Sequence, residues 1–111
     1  MKREQMLAAL EPLIVEEPVK ALSGSLIRFR ELSGAARDAL YDSVKNSGGN
    51  SGFEAALIAA TVVDENGVPV FREDDIDTLQ AARTPLLEEL SQIAMRLNGL
   101  GQHAQEEASK N

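Results

Sequence analysis

Hydrophobic positions along this chain fall into short periodic segments separated by turn residues, and the period changes from one segment to the next. Met6, Leu7 and Leu10 lie on one side of a short helix over residues 2–10. Glu11-Pro12 ends it, because a residue before proline disfavours helical backbone. LIVEEPVKAL (13–22) then reads as extended. SLIRFREL (25–32) alternates Ile27 and Phe29 against Arg28 and Arg30, the mark of a half-buried strand. Ser33 caps a helix in which Ala36, Leu40 and Val44 recur at four-residue steps. After NSGGNSG (46–52), which reads as a flexible loop, Phe53, Ala56, Leu57 and Ala60 mark one face of a further helix. The broadest stripe follows Thr84, a good N-cap, and Pro85, suited to a first helical position. Leu86, Leu87, Leu90, Ile93, Ala94 and Leu97 repeat there at helical spacing up to the exit at Asn98-Gly99, and the stripe reads as core.

Between these helices lies VVDENGVPVFREDDIDTL (62–79). Val62-Val63 and Val68 to Phe71 flank Asn66-Gly67, a pair that favours positive φ and a tight hairpin, with Pro69 restricting its strand to a sheet edge. Glu73, Asp74, Asp75 and Asp77 then occupy the first turn of a helix whose inward residues are Ile76 and Leu79, where negative charge meets exposed N–H groups. The acids exceed what capping needs. Glu73, Asp74, Asp75 and Asp77 are therefore the candidate partner-binding surface, with a merely solvated acidic face as the competing reading. The pattern predicts an α+β fold: a mainly helical single domain over residues 1–100, with a small antiparallel hairpin, an N-terminal extended segment and a mobile polar tail over 101–111.

Composition narrows the chemistry. A chain of 111 residues has room for one core, and with no Trp, one Tyr and three Phe that core is built from Leu, Ile, Val and Ala. The net charge of −7 sits entirely after residue 45, which repels a phosphate backbone. With few aromatic platforms to stack bases, no nucleic-acid partner is expected, and a basic or amphipathic protein segment fits better. The apolar stretch at 55–63 is too short to span a bilayer, and the five apolar residues before Glu11 are too few for a signal-peptide core, so no membrane partner is expected and a cytoplasmic protein is.

Catalytic and metal-binding patterns are weak throughout. There is no Cys to act as nucleophile or ligand, and the single His, His103, lies in the polar tail, where a surface role fits better than a triad. Asp64, Asn66 and Asp75 match three positions of a calcium loop, but Pro69 stands where that loop needs glycine. Magnesium on Asp74, Asp75 and Asp77 lacks a supporting His, Cys or phosphate loop, and NSGGNSG lacks the Gly-Lys-Ser/Thr ending of a phosphate cradle. The expectation is a binding protein with no cofactor, no metal and no enzymatic activity.

Taken in order, the segments from about residue 26 to 100 resemble the tail assembly chaperones of long-tailed, non-contractile bacteriophages. RFRELSGAARDAL carries Arg30, Leu32, Ser33, Gly34, Arg37 and Asp38 in that family's pattern of extended segment, Leu-Ser-Gly and helix. The hairpin-to-helix segment matches through Val63, Asp64, Gly67, Pro69, Phe71 and Asp75, followed by Ile76 and Leu79, and LNGL (97–100) with an acidic tail resembles the family's C-terminus. Arg72 stands where a Ser or Thr cap is usual, which leaves Asp74 as a second candidate for the helix start. The resemblance implies a protein that holds the tape-measure protein in the host cytoplasm, helps recruit tail-tube subunits and is absent from the mature virion. Self-association is compatible with it. A small acidic regulatory or secretion-type chaperone, and a virion tail or connector subunit, are the alternatives.

Overall fold

The computed structural model describes residues 1–45 and 49–100. The loop expected at 46–52 thus lies partly outside the described residues, and the tail expected at 101–111, with His103, wholly outside them. The order of elements is α1 (Arg3–Ala9), β1 (Ile14–Val19), β2 (Ser25–Arg30), α2 (Gly34–Val44), α3 (Asn50–Thr61), β3 (Val62–Val63), α4 (Ile76–Gln80) and α5 (Thr84–Leu97). The architecture is α+β and mainly helical, as the hydrophobic pattern predicts. Asn50, Ser51 and Gly52, expected in the loop, instead form the first turn of α3, with Gly49 at φ +89° before them.

The extended N-terminal segment is a full strand. β1 pairs antiparallel with β2 over six residues each, from Ile14 opposite Arg30 to Val19 opposite Ser25, and β3 adds to the other side of β2. Pro18 is tolerated because β1 is the sheet's edge. Register places Val15, Glu17, Val19, Ile27, Phe29 and Val62 on one face. Val19 and Phe29 are fully buried there, and Glu17 on the same face forms an ion pair with Arg96 of α5. The opposite face carries the cross-strand pair Glu16–Arg28 at 3.1 Å.

The Asn-Gly hairpin is smaller than the sequence suggests. Beyond β3 it consists of a single bridge, Val63 to Pro69, with Asp64 N–H donating to the Val68 carbonyl at 2.8 Å and Val70 N–H to Val62 at 3.2 Å. A two-residue turn would need positive φ at both Asn66 and Gly67, and only Gly67 has it, at +78°. The loop is instead the three residues Glu65, Asn66 and Gly67. The Asp64 carboxylate accepts the N–H of Asn66 at 2.8 Å and of Val68 at 3.0 Å, which gives the turn its own anchor.

α3 is the central helix and packs against α2, α4 and α5. Its buried residues are Gly52, Phe53, Ala55, Leu57, Ile58 and Thr61, a wider arc than the face predicted from Phe53, Ala56, Leu57 and Ala60. Ala60 is exposed and Ala56 only half-buried. A helix contacted on three sides has no single polar face, so the spacing of its large residues alone misplaces the stripe. α5 fulfils the core expectation, burying Leu87, Leu90, Ile93 and Ala94. Its cap is Arg83, with Thr84 the first helical residue. It ends with Gly99 at φ +64° and with Gly99 N–H and Leu100 N–H closing on Arg96 and Met95 carbonyls, a left-handed C-terminal cap.

Candidate functional site

The acidic segment has the local structure expected of it. Residues Glu73–Asp75 form a 3-10 turn that runs into α4, and Ile76 and Leu79 point inward, Leu79 fully so. The backbone start is Arg72, neither Ser nor Thr nor Asp74. Asp75 supplies the missing cap by accepting the Arg72 N–H at 2.8 Å. Asp75 is half-buried by that task, whereas Glu73, Asp74 and Asp77 are exposed. The four predicted residues thus lie in one turn-and-helix segment, Asp75 as a cap and the other three exposed. Asp64 and Asp75, the ends of the calcium-like pattern, are each occupied with backbone N–H groups in separate turns. Among the described residues, no three His, Asp or Glu side chains come together as a cation site. No described helix is long and apolar enough to cross a membrane.

Beside the acids opens an apolar groove of about 640 Å³ between α2, α3 and α4. Leu40 and Val44 of α2 are buried in it, Ala56 and Ala59 of α3 are half-buried, and Phe71 and Ile76 close the side from which Glu73 rises. The alanines follow from the sequence pattern in retrospect. Ala36, Ala39, Ala56, Ala59 and Ala60 lie at helical spacing on two neighbouring helices, and small residues at such positions leave a trough where larger ones would fill it.

Other surfaces are apolar without being grooves. α1 buries none of its residues, and Met6, Leu7 and Leu10 are 49, 47 and 67% exposed. The predicted amphipathic helix forms, but its apolar side faces outward. A second opening, of about 490 Å³, lies where Leu22, Leu26 and Ile27 approach Val63, Val70 and Leu86.

Two further carboxylates are placed by the fold in ways the sequence does not announce. Glu89 of α5 accepts the backbone N–H of Lys20 at 2.6 Å and of Ala21 at 2.8 Å, and Ala21 first, then Lys20, hold its carboxyl below the ordinary glutamate range. Glu54 of α3 accepts the Ser91 hydroxyl at 3.2 Å. Burial pushes its carboxyl up, the Ser91 bond opposes the shift and the charge of Glu88 adds to it. Each has a structural neighbour that accounts for it. A capping carboxylate contributed by residues about 70 positions away leaves no local signature.

No protein-family model matches the chain, and no curated protein matches it. Its fold is similar to that of a phage tail assembly chaperone. One solved structure that shares it is the tail assembly chaperone of bacteriophage HK97, with 23% sequence identity, a TM-score of 0.63, and coverage of 85% of this chain and 94% of that one.

Proposed function

We propose that this chain is a phage tail assembly chaperone that binds the tape-measure protein and helps recruit tail-tube subunits. It acts in the host cytoplasm and leaves before the virion is complete. The observation that carries the reading is the fold likeness to the HK97 chaperone over 94% of that protein. The surface suits such work: holding a long partner requires exposed apolar positions and complementary charge rather than bond chemistry, and both are present, at the α2–α3–α4 groove and on the acids beside it. The displaced carboxyls, Glu54 and Glu89, serve packing and capping, which is in keeping with a binding role.

Co-expression with the tape-measure protein of the same phage tests this. The expected result is a soluble complex that co-purifies and weakens, without vanishing, as salt rises. No retention at any salt concentration by the folded chain would leave the small regulatory chaperone as the better reading. Mass spectrometry of purified particles tests departure from the virion; recovery in stoichiometric amount would assign a structural subunit instead.

A further inference from the structure

We propose that the groove between α2, α3 and α4 docks one basic amphipathic helix of the partner, with its large aliphatic residues against the alanines and its Lys and Arg toward Glu73, Asp74 and Asp77. The inference rests on the chaperone reading for the partner's identity and on the groove for its chemistry. Both long walls are helices, whose backbone groups are bonded internally, so no strand edge is available along them to receive an extended peptide. An occupant that lies along these two helices must therefore satisfy its own backbone, as a helix does. Ala36 and Ala39 on one wall and Ala56, Ala59 and Ala60 on the other carry no long side chains, so a helix can approach closely and supply the missing volume itself.

Charge sets the sign of the occupant. Glu73 lines the groove together with Arg72, and Asp74 and Asp77, exposed in the same short segment, leave residues 72–80 with an excess of negative charge. The chain's own residues 101–111 fit poorly, because they contain no apolar side chain larger than alanine and carry Glu106 and Glu107. The helix α1 of a second copy has apolar residues and Lys2 and Arg3, but its seven residues span only about 10 Å. The walls, of 11 and 12 residues, run about 16–18 Å. A longer helix from a different protein fills the groove better.

The test uses the full chain and fragments that tile the tape-measure protein of the same phage. Ala39 and Ala60 are exposed on the rim, so Ala39→Trp and Ala60→Trp obstruct the groove without entering the core. Each variant is first checked for parental circular dichroism and melting. The expected result is at least about a tenfold loss of fragment affinity in either variant. The triple change Glu73→Lys, Asp74→Lys, Asp77→Lys should lose affinity at low salt and little at high salt. Met6→Ser with Leu10→Ser should bind as the parent does. Parental affinity in both Trp variants overturns the groove while the chaperone reading stands. So does a Trp variant that changes only the oligomeric state, which would assign the groove to a second copy. Failure of the parent to bind any fragment overturns the chaperone reading and this inference with it.

Discussion

The carboxylate of Glu89 lies 2.8 Å from the backbone N–H of Ala21, a residue 68 positions earlier, and reaches the neighbouring Lys20 N–H as well. One α5 side chain thereby fixes the turn between β1 and β2, and Arg83, just before α5, adds a bond to the Ala21 carbonyl at 3.0 Å. Glu89→Gln keeps the shape and loses the charge, so its melting temperature is expected to fall by a few degrees at neutral pH. Because folding lowers the Glu89 pKa, this stabilisation is fully present above the unfolded value of 4.5 and is lost as pH falls through the lower folded value. Melts of parent and variant from pH 7 to pH 3 should converge at the acid end; a constant gap would show that the ionised form is not what the turn uses.

Glu54 titrates with the opposite sign. Its pKa is raised in the folded state, so the native chain holds its proton more tightly than the unfolded one and stability declines as pH rises from 4.5 through the folded value. Glu54→Gln retains an acceptor for Ser91 and removes the repulsion from Glu88. It should melt slightly higher than the parent at pH 7 and no higher at pH 4. A lower melting temperature at pH 7 would mean that the charge itself is needed.

Ser23 occupies a left-handed conformation, φ 57° and ψ 35°, at the end of the 3-10 turn Lys20–Leu22. Its N–H and that of Gly24 return to the Lys20 and Val19 carbonyls in the pattern of a helix C-terminal cap, where glycine is the usual residue. The left-handed region costs a side-chain residue about 1–2 kcal/mol, and the extra backbone freedom of glycine offsets about 0.5–1 kcal/mol. Ser23→Gly is therefore expected to stabilise the protein by up to about 1 kcal/mol, read from urea unfolding. A decrease would show that the turn relaxes to accommodate serine.

At Gly67 the balance runs the other way. Its φ of +78° disfavours any side chain, and an added Cβ would meet Ile14 Cδ1 at 3.2 Å. Gly67→Ala should cost about 1–2 kcal/mol through the backbone alone. Ile14→Val in the same chain should recover only the contact portion, measured as a double-mutant cycle. Full recovery would place the cost in the contact rather than in the backbone.

Phe29 measures how much the sheet contributes to the core. It is fully buried and faces β1 and β3 through its register partners Val15 and Val62. Phe29→Ala is expected to cost about 3–5 kcal/mol against a total stability of about 5–15 kcal/mol. An unchanged urea midpoint would show that β2 is not part of the cooperative unit.

Local chemistry made much of this fold legible. Ser33 caps α2 through the Ala36 N–H at 3.1 Å, Phe29 alternates inward, and Leu87, Leu90, Ile93 and Ala94 bury the stripe of α5. Features that depend on distant partners were not legible. The pairing of β1 with β2, the capping of Lys20 and Ala21 by Glu89, and the Leu32 N–H donating to Asn98 Oδ1 at 2.6 Å all join segments whose spacing carries no period. The acids at 73–77 were visible as charge. The groove beside them was not, because it consists of alanines, and an alanine in a helix reads the same whether it is covered or open.

The edge position of Pro18 bears on how such a protein behaves at high concentration. β1 is the longer of the sheet's two edge strands, and a bare row of N–H and C=O groups is a template on which further strands grow. Pro18 removes one donor from that row, just after Glu16 and Glu17, which are held by Arg28 and Arg96. Another strand that approaches there meets a gap in the ladder. The strand that ends the sheet thus carries its own obstacle to edge-to-edge growth.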